Sequence, residues 1–288
     1  MVSYNPKSWF SIIFQLHKYD TFRQLLPTIT VLGILTLVFC YVEIEILNLE
    51  YTSTIAVHSL IGFVLSLLLV FRTNTAYDRW WEGRKHWGAM VNNTRNLSIK
   101  LSQIIPTEET ERRQLFRVLL TNYVFAMKEH LREGVLEQEL EEIAGFDKKE
   151  VMSRDHVPNA IAQQIYHQLL LLKKDGLISD EQQITLDNEF RSLTDIIGAC
   201  ERIKKTPIPY SYSAFIKKFI FIYVMSLPFG VVRDFGYSTI FVVLFIFYVL
   251  ASLELIAEEI EDPFGPDAND LPTDALSDTI RKNLKELY

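Results

Sequence analysis

The six histidines of this 288-residue chain, His17, His58, His86, His130, His156 and His167, never stand three or four residues apart. A transition-metal site legible in sequence needs His or Cys ligands at such short spacings, so none is predicted. Glycines are few and isolated, which leaves no loop to cradle a phosphate, and no Gly-x-Ser-x-Gly elbow presents a nucleophile. The expectation is a protein that is not an enzyme and requires no cofactor. What the sequence offers instead is a column of bulky apolar side chains. Phe63, Leu67 and Phe71 follow one another at i, i+4 spacing inside the apolar run 54–73. Such a column can pack against neighbouring helices or face lipid. Where identical helices surround an axis, it forms stacked rings that gate an ion path by wetting and dewetting. Within the same run a lone His58 reads as hydrogen-bonded structure, and Gly62 with Ser66 as a small-residue stripe for close helix contact.

An element must hold that column at depth. About 20 helical residues rise roughly 30 Å, the thickness of a bilayer's hydrocarbon core, so the run 54–73 should cross a membrane. Composition agrees: 49% hydrophobic residues and a mean hydropathy of +0.10 average over two populations. Apolar runs lie towards both ends, and a charged, helix-patterned stretch lies between them. Residues 1–23 read as an interfacial amphipathic helix; further spans are expected at 25–47, at 215–232 around Pro228, and at 237–256. Trp80, Trp81 and Trp87, interleaved with Arg79, Arg84 and Lys85, read as an interfacial belt. In the insert, helices are expected over 107–132, 161–174 and 179–205, the last opened by a Ser179-x-x-Gln182 capping box. The predicted architecture is an all-α membrane protein with four transmembrane helices. Residues 1–73 hold the interfacial helix and spans one and two, 74–214 a cytosolic helical domain, 215–256 spans three and four, and 257–288 an acidic cytosolic tail ending in a helix from Thr273.

Charge orients this arrangement. Lys and Arg cluster at 72–85, 202–205 and 217–218, so insert and termini are expected on the cytoplasmic side of the plasma membrane, the inner membrane if the source is bacterial. The net charge of −7 and a pI near 5.5 argue against a nucleic-acid partner. Cys40 and Cys200 lie in different regions, so no bridge is expected between them. The first residues carry no cleavage-site pattern, so no removable signal peptide is expected.

Several stretches resemble the bestrophins, in particular short bacterial members: GFVLSLLLVFRTNTAYDRWWEGRKHWG, ACERIKKTPIPYSYS, LPFG at 227–230, and EEIEDPFGPDANDLPTD. They stand in the family's order and cover most of the chain. The resemblance implies a homopentameric channel with identical subunits as partners, a central pore lined by the second span, and a cytosolic vestibule ending in a second constriction. It places a hydrophobic neck on Phe63, Leu67 and Phe71, and the cytosolic aperture near Leu169. It also raises a calcium site in the tail, where animal members wrap calcium at an Asn-Pro-Phe-Gly followed by acidic residues. Here Asp262 replaces the Asn, while Pro266 and Ala268 interrupt the acidic run. Asp262, Asp267 and Asp270 with nearby carbonyls offer oxygen ligands, yet the same residues suit turn and helix capping, and strong calcium gating is not expected. Family default implies chloride conduction, with a sodium-type monovalent cation channel as the alternative. A membrane-anchored scaffold is a further reading.

Overall fold

The computed structural model describes residues 21–47 and 55–288. The N-terminal interfacial helix expected over 1–23 and the loop at 48–53 lie outside them, apart from residues 21–23. Among the described residues the chain is helical without strands. Helix α1 is Thr21–Tyr41 and continues as a π-helical turn, Val42–Leu47. Then come α2 (Ile55–Ile104), α3 (Thr110–His130), α4 (Lys148–Met152), α5 (Val157–Lys174), α6 (Asp180–Lys205), α7 (Tyr210–Phe235), α8 (Thr239–Glu261) and α9 (Thr273–Leu287). Three described stretches are long and apolar enough to cross a membrane: Thr21–Leu47, α2, and Tyr210–Glu261, in which α7 and α8 are divided by a 3-10 turn at Gly236–Ser238. The chain forms two compact units. The apolar one holds the described residues up to 80, 207–262 and 267–269; the polar one holds 81–206, 263–266 and 270–288. The change-over at residues 80/81 falls inside α2, which is unbroken there.

In the apolar unit, α1, α7 and α8 pack together with the first part of α2. Leu32, Leu65, Leu69, Ile216, Val224 and Val243 form its core. Helices in lipid gain little from the hydrophobic effect, so close approach and polar bonds must hold them. Two glycines permit that approach. A Cβ on Gly62 would stand 2.7 Å from the Tyr223 hydroxyl, and one on Gly230 would stand 2.8 Å from His58 Nδ1. His58 Nε2 donates to the Ser226 carbonyl at 2.9 Å, the structural role expected of it. Gly62 does mark a close contact, whereas Ser66 is exposed and spends its hydroxyl on the Gly62 carbonyl of its own helix. Helix α7 runs through Pro228 without ending.

A buried polar cluster in this unit centres on Arg72, 1% exposed at the end of the apolar stretch of α2. Its Nη2 reaches Glu261 Oε2 at 2.6 Å and its Nε lies 3.6 Å from Glu254 Oε2, both carboxylates being on α8. The other Glu261 oxygen accepts the Ile208 backbone N–H at 2.6 Å, and the Glu261 carbonyl accepts from Arg79 Nε at 3.0 Å. One glutamate thus joins α2, the proline-rich approach to α7, and the end of α8.

The polar unit is held differently. Pro106 stops α2, whose last carbonyls lack helical partners. Arg113 Nη1 donates to one of them, Ser102 O at 2.7 Å, and to Ile105 O just past the helix end at 3.0 Å. The buried Tyr123 hydroxyl donates to the Leu193 carbonyl at 2.9 Å, joining α3 to α6. Between α3 and α5, where periodicity is weak, Asn122 meets the Glu141 backbone in both directions at 2.8 Å. The capping box forms as expected, Ser179 Oγ accepting from Gln182 N and Gln182 Oε1 accepting from Ser179 N. The aromatic belt needs correction: Trp87 is fully buried. It lies on the buried stripe of α2, residues 83, 87, 90, 94, 97 and 101 at alternating steps of four and three, and so packs inward.

Helix α9 is fastened to α3 by charge. Lys128 is buried and donates to Glu139 and Asp274 while also pairing with Glu129. Arg132 grips both oxygens of Asp274, at 3.1 and 2.7 Å. Hydrogen bonds from Arg132, then from Lys128, hold the Asp274 carboxyl well below the usual carboxylate range despite partial burial. Burial opposes the charge on Lys128, but its three acidic partners outweigh that and raise its pKa.

Two predictions follow from these bonds. Removing one partner of a buried ion pair strands the other, at about 3–5 kcal/mol. Arg72→Met should therefore sharply lower the melting temperature of the detergent-solubilised protein, and adding Glu254→Gln and Glu261→Gln should recover part of the loss. A single variant as stable as the native chain would refute the clamp. For Asp274, a folded pKa below the unfolded value of about 4 means stabilisation that is full above that value and fades as pH falls through the depressed one. Asp274→Asn should cost about 1 kcal/mol at neutral pH, its exposed side chain being screened by water. That deficit should shrink progressively below about pH 4, as measured by pH-dependent unfolding.

Candidate functional site

The apolar column lies on α2. Its buried row, Leu65, Leu69, Arg72 and Ala76, packs into the protomer, and the face turned away from that row carries Phe63, Leu67 and Phe71. Those three are 68%, 47% and 57% exposed, large values for bulky apolar groups. The structure therefore brings the three together on one face and leaves that face uncovered by its own protomer. Beyond Phe71 the same exposed face continues with Asn74 and Asp78, at steps of three and four.

The candidate aperture residue does not share this exposure. Leu169 sits in α5 and is 3% exposed, buried among Ile161, Ile165 and Leu172 on the inward stripe of that helix. Its side chain is committed to the core of its own unit. Ile184, on the polar first turns of α6, is 64% exposed and is the most exposed large apolar side chain of the polar unit. Sequence alone offered a signal for it: an isoleucine alone between Gln183 and Thr185 in a polar helix start.

Of the tail acids, Asp262 and Asp267 are exposed, whereas Asp270 is 1% exposed. Among the described residues, none of them belongs to a group of three or more His, Cys, Asp or Glu side chains with converging ligand atoms. The chain around them is closed by turn bonds. Leu271 N donates to Pro263 O at 2.9 Å, and Phe264 packs where a Cβ on Gly83 would come within 3.1 Å of its ring. Asn269 Nδ2 donates to Glu259 Oε2 at 2.6 Å, while Trp80 Nε1 donates to the Asn269 carbonyl at 3.0 Å.

One cluster was not legible in sequence. His130, His156 and Glu201, from the last turn of α3, the N-cap of α5 and the last turns of α6, converge with ligand atoms within 4.8 Å of one another. His130 Nε2 and His156 Nε2 both meet Glu201 Oε1, at 2.7 and 2.9 Å, with the two rings 4.4 Å apart. Burial alone would raise the Glu201 pKa, but the bonds from His130 and His156 outweigh it and hold the carboxyl below its usual range. Neighbouring Cys200 is a free, buried thiol pushed up to about 12 by burial and by Glu82 and Glu201, and so stays protonated at neutral pH. Cys40 is likewise free and buried.

Comparison with known proteins gives these features a family. The model described as Bacterial/Fungal Bestrophin protein matches residues 1–286. A voltage-dependent anion channel-forming protein of Nostoc sp. is 34% identical over 287 residues, which is 98% of this chain and 92% of the relative. Another of that name, from Synechocystis sp., is 38% identical over 233 residues, covering 78% of this chain and 75% of the relative. A crystal structure of a variant bacterial bestrophin homologue from Klebsiella pneumoniae superposes with a TM-score of 0.82 at 30% identity, covering 93% of this chain and 98% of that one. The uncovered apolar face on α2 is thus carried by a chain that belongs to the bacterial and fungal bestrophin family.

Proposed function

We propose that the protein is a passive ion channel, built as a homopentamer around one pore lined by α2 and passing chloride and similar anions. The observation that carries this reading is the exposed column Phe63, Leu67 and Phe71 on a helix whose other face is buried. Identical subunits around an axis cover that face and turn each position into a ring, making an uncharged neck that conducts when wetted. Relatives named as anion channel-forming proteins supply the sign of the ion. In this reading α1, α2, α7 and α8 are four spans, and the polar unit and both termini are cytoplasmic. Ile184, rather than Leu169, rings the second constriction, since a ring residue must be exposed on the single protomer. The tail acids serve as turn and cap residues, so conduction does not depend steeply on calcium.

One observation favours cations. Asp78 lies seven residues beyond Phe71 on the same exposed face, and five such carboxylates near the mouth would attract positive ions. Reversal potentials of the purified protein in planar bilayers under a salt gradient decide between the readings. A potential on the chloride side supports anion conduction, one on the sodium side supports the Asp78 reading, and absence of current refutes both. Phe63, Leu67 and Phe71 replaced together by Ala should widen and wet the neck and raise flux severalfold; unchanged flux would place the gate elsewhere. Flux should also be similar in calcium and in chelator. A steep calcium dependence lost in Asp267→Ala with Asp270→Ala would instead assign the tail acids to a regulatory site.

A further inference from the structure

The convergence of His130, His156 and Glu201 has no part in the conduction pathway proposed above, and its donor set is specific. Two imidazole nitrogens and one carboxylate oxygen suit zinc and its borderline divalent neighbours; calcium and magnesium take oxygen ligands almost exclusively. We infer that these three side chains form a binding site for a divalent transition-metal ion of the zinc type. In that site the ion clips together the ends of α3, α5 and α6 and keeps at least one coordination position for water.

Geometry supports the assignment. The three donor atoms already share one spot, with both histidine nitrogens within 2.9 Å of the same carboxylate oxygen. Around a tetrahedral zinc with bonds of about 2.0–2.1 Å, ligand atoms stand roughly 3.3 Å apart. The two nitrogens, within 4.8 Å of each other, therefore close towards that spacing while the carboxylate oxygen backs away by about half an ångström, through torsional changes in partly exposed groups. All three belong to the polar unit and each is partly exposed, so an ion has access. The nearby cation is Lys205, 3.7 Å from Glu201 Oε1 and 71% exposed, and it can swing into solvent when the ion arrives.

A competing arrangement must be displaced. His156 Nδ1 accepts the Asn159 backbone N–H at 3.2 Å, capping α5, so in the metal-free state its proton sits on Nε2 and is donated to Glu201. Metal at Nε2 moves that proton to Nδ1 and breaks the cap bond. Losing an N-cap bond lowers an equilibrium constant by about fivefold, small beside the affinity that three converging ligands provide. Coordination requires neutral imidazoles, so acid opposes binding.

The experiment uses the full-length protein in detergent, stripped with chelator and titrated with zinc chloride at pH 7.5. Bound zinc is counted by elemental analysis and the melting temperature is followed. One zinc per subunit is expected, with a melting temperature that rises with zinc and falls back at pH 5.5. Glu201→Gln keeps an oxygen acceptor for both histidines and so preserves the fold, but it should weaken zinc binding at least tenfold. His130→Asn and His156→Asn should do the same, with unchanged size-exclusion profiles. Native protein that binds no zinc, or variants that bind it as tightly as the native chain, would overturn the site. Because the readout is binding, its failure leaves the conduction reading untouched, and the absence of current would leave the metal site intact.

Discussion

The ion pairs of Arg72 decide what α2 can be. A guanidinium with 1% exposure at the end of an apolar helix is tolerable only if carboxylates meet it, and α8 supplies Glu254 and Glu261. Buried ion pairs seldom add net stability over an apolar replacement, but they punish any arrangement that separates the partners. Such a pair fixes the rotation of α2 about its own axis. With Arg72 turned towards α8, Leu65, Leu69 and Ala76 must also face inward, and Phe63, Leu67 and Phe71 must face away from the protomer. In a lipid environment, where apolar packing alone orients helices weakly, a directional bond is what selects one face over another.

The same principle acts with different chemistry in the polar unit, where water competes for every hydrogen bond. There the long second helix keeps its inward stripe, now with Trp87, Met90, Thr94 and Leu97, and burial in water drives that packing. Its last turn is closed by Arg113, and the C-terminal helix is fastened through Lys128, Arg132 and Asp274. This helix of 50 residues thus carries a buried row within each of the two units it enters.

Much of this was legible in the sequence because it rests on local pattern. Apolar length marked the helices long enough to cross a membrane, Ser179 and Gln182 marked a helix start, and the i, i+4 spacing put Phe63, Leu67 and Phe71 on one face of α2, though not what that face meets. What escaped was set by which helices pack together. Trp87 has the composition of an interfacial belt, but its place in the steps of four and three on α2 puts it in the core. Leu169 lies in a run of four leucines, 169–172, where composition cannot say which faces inward; the structure buries Leu169 and leaves Leu170 42% exposed. Arg72 entered only as one of the basic residues that orient the chain, since nothing beside it in sequence announces carboxylates some 180 positions later.

The histidine cluster shows why short spacings are an incomplete guide to ligands. His130, His156 and Glu201 are separated by 26 and 45 positions, far outside any local motif. Yet each lies at a particular helix end: the close of α3, the N-cap of α5 and the close of α6. When successive packed helices alternate in direction, the end of one, the start of the next and the end of the third gather at the same edge of the layer. Titratable residues at those three ends meet there however distant they are in sequence. Helix order and polarity thus carry ligand information that residue spacing lacks, and the carboxylate between two imidazoles is its product in this chain.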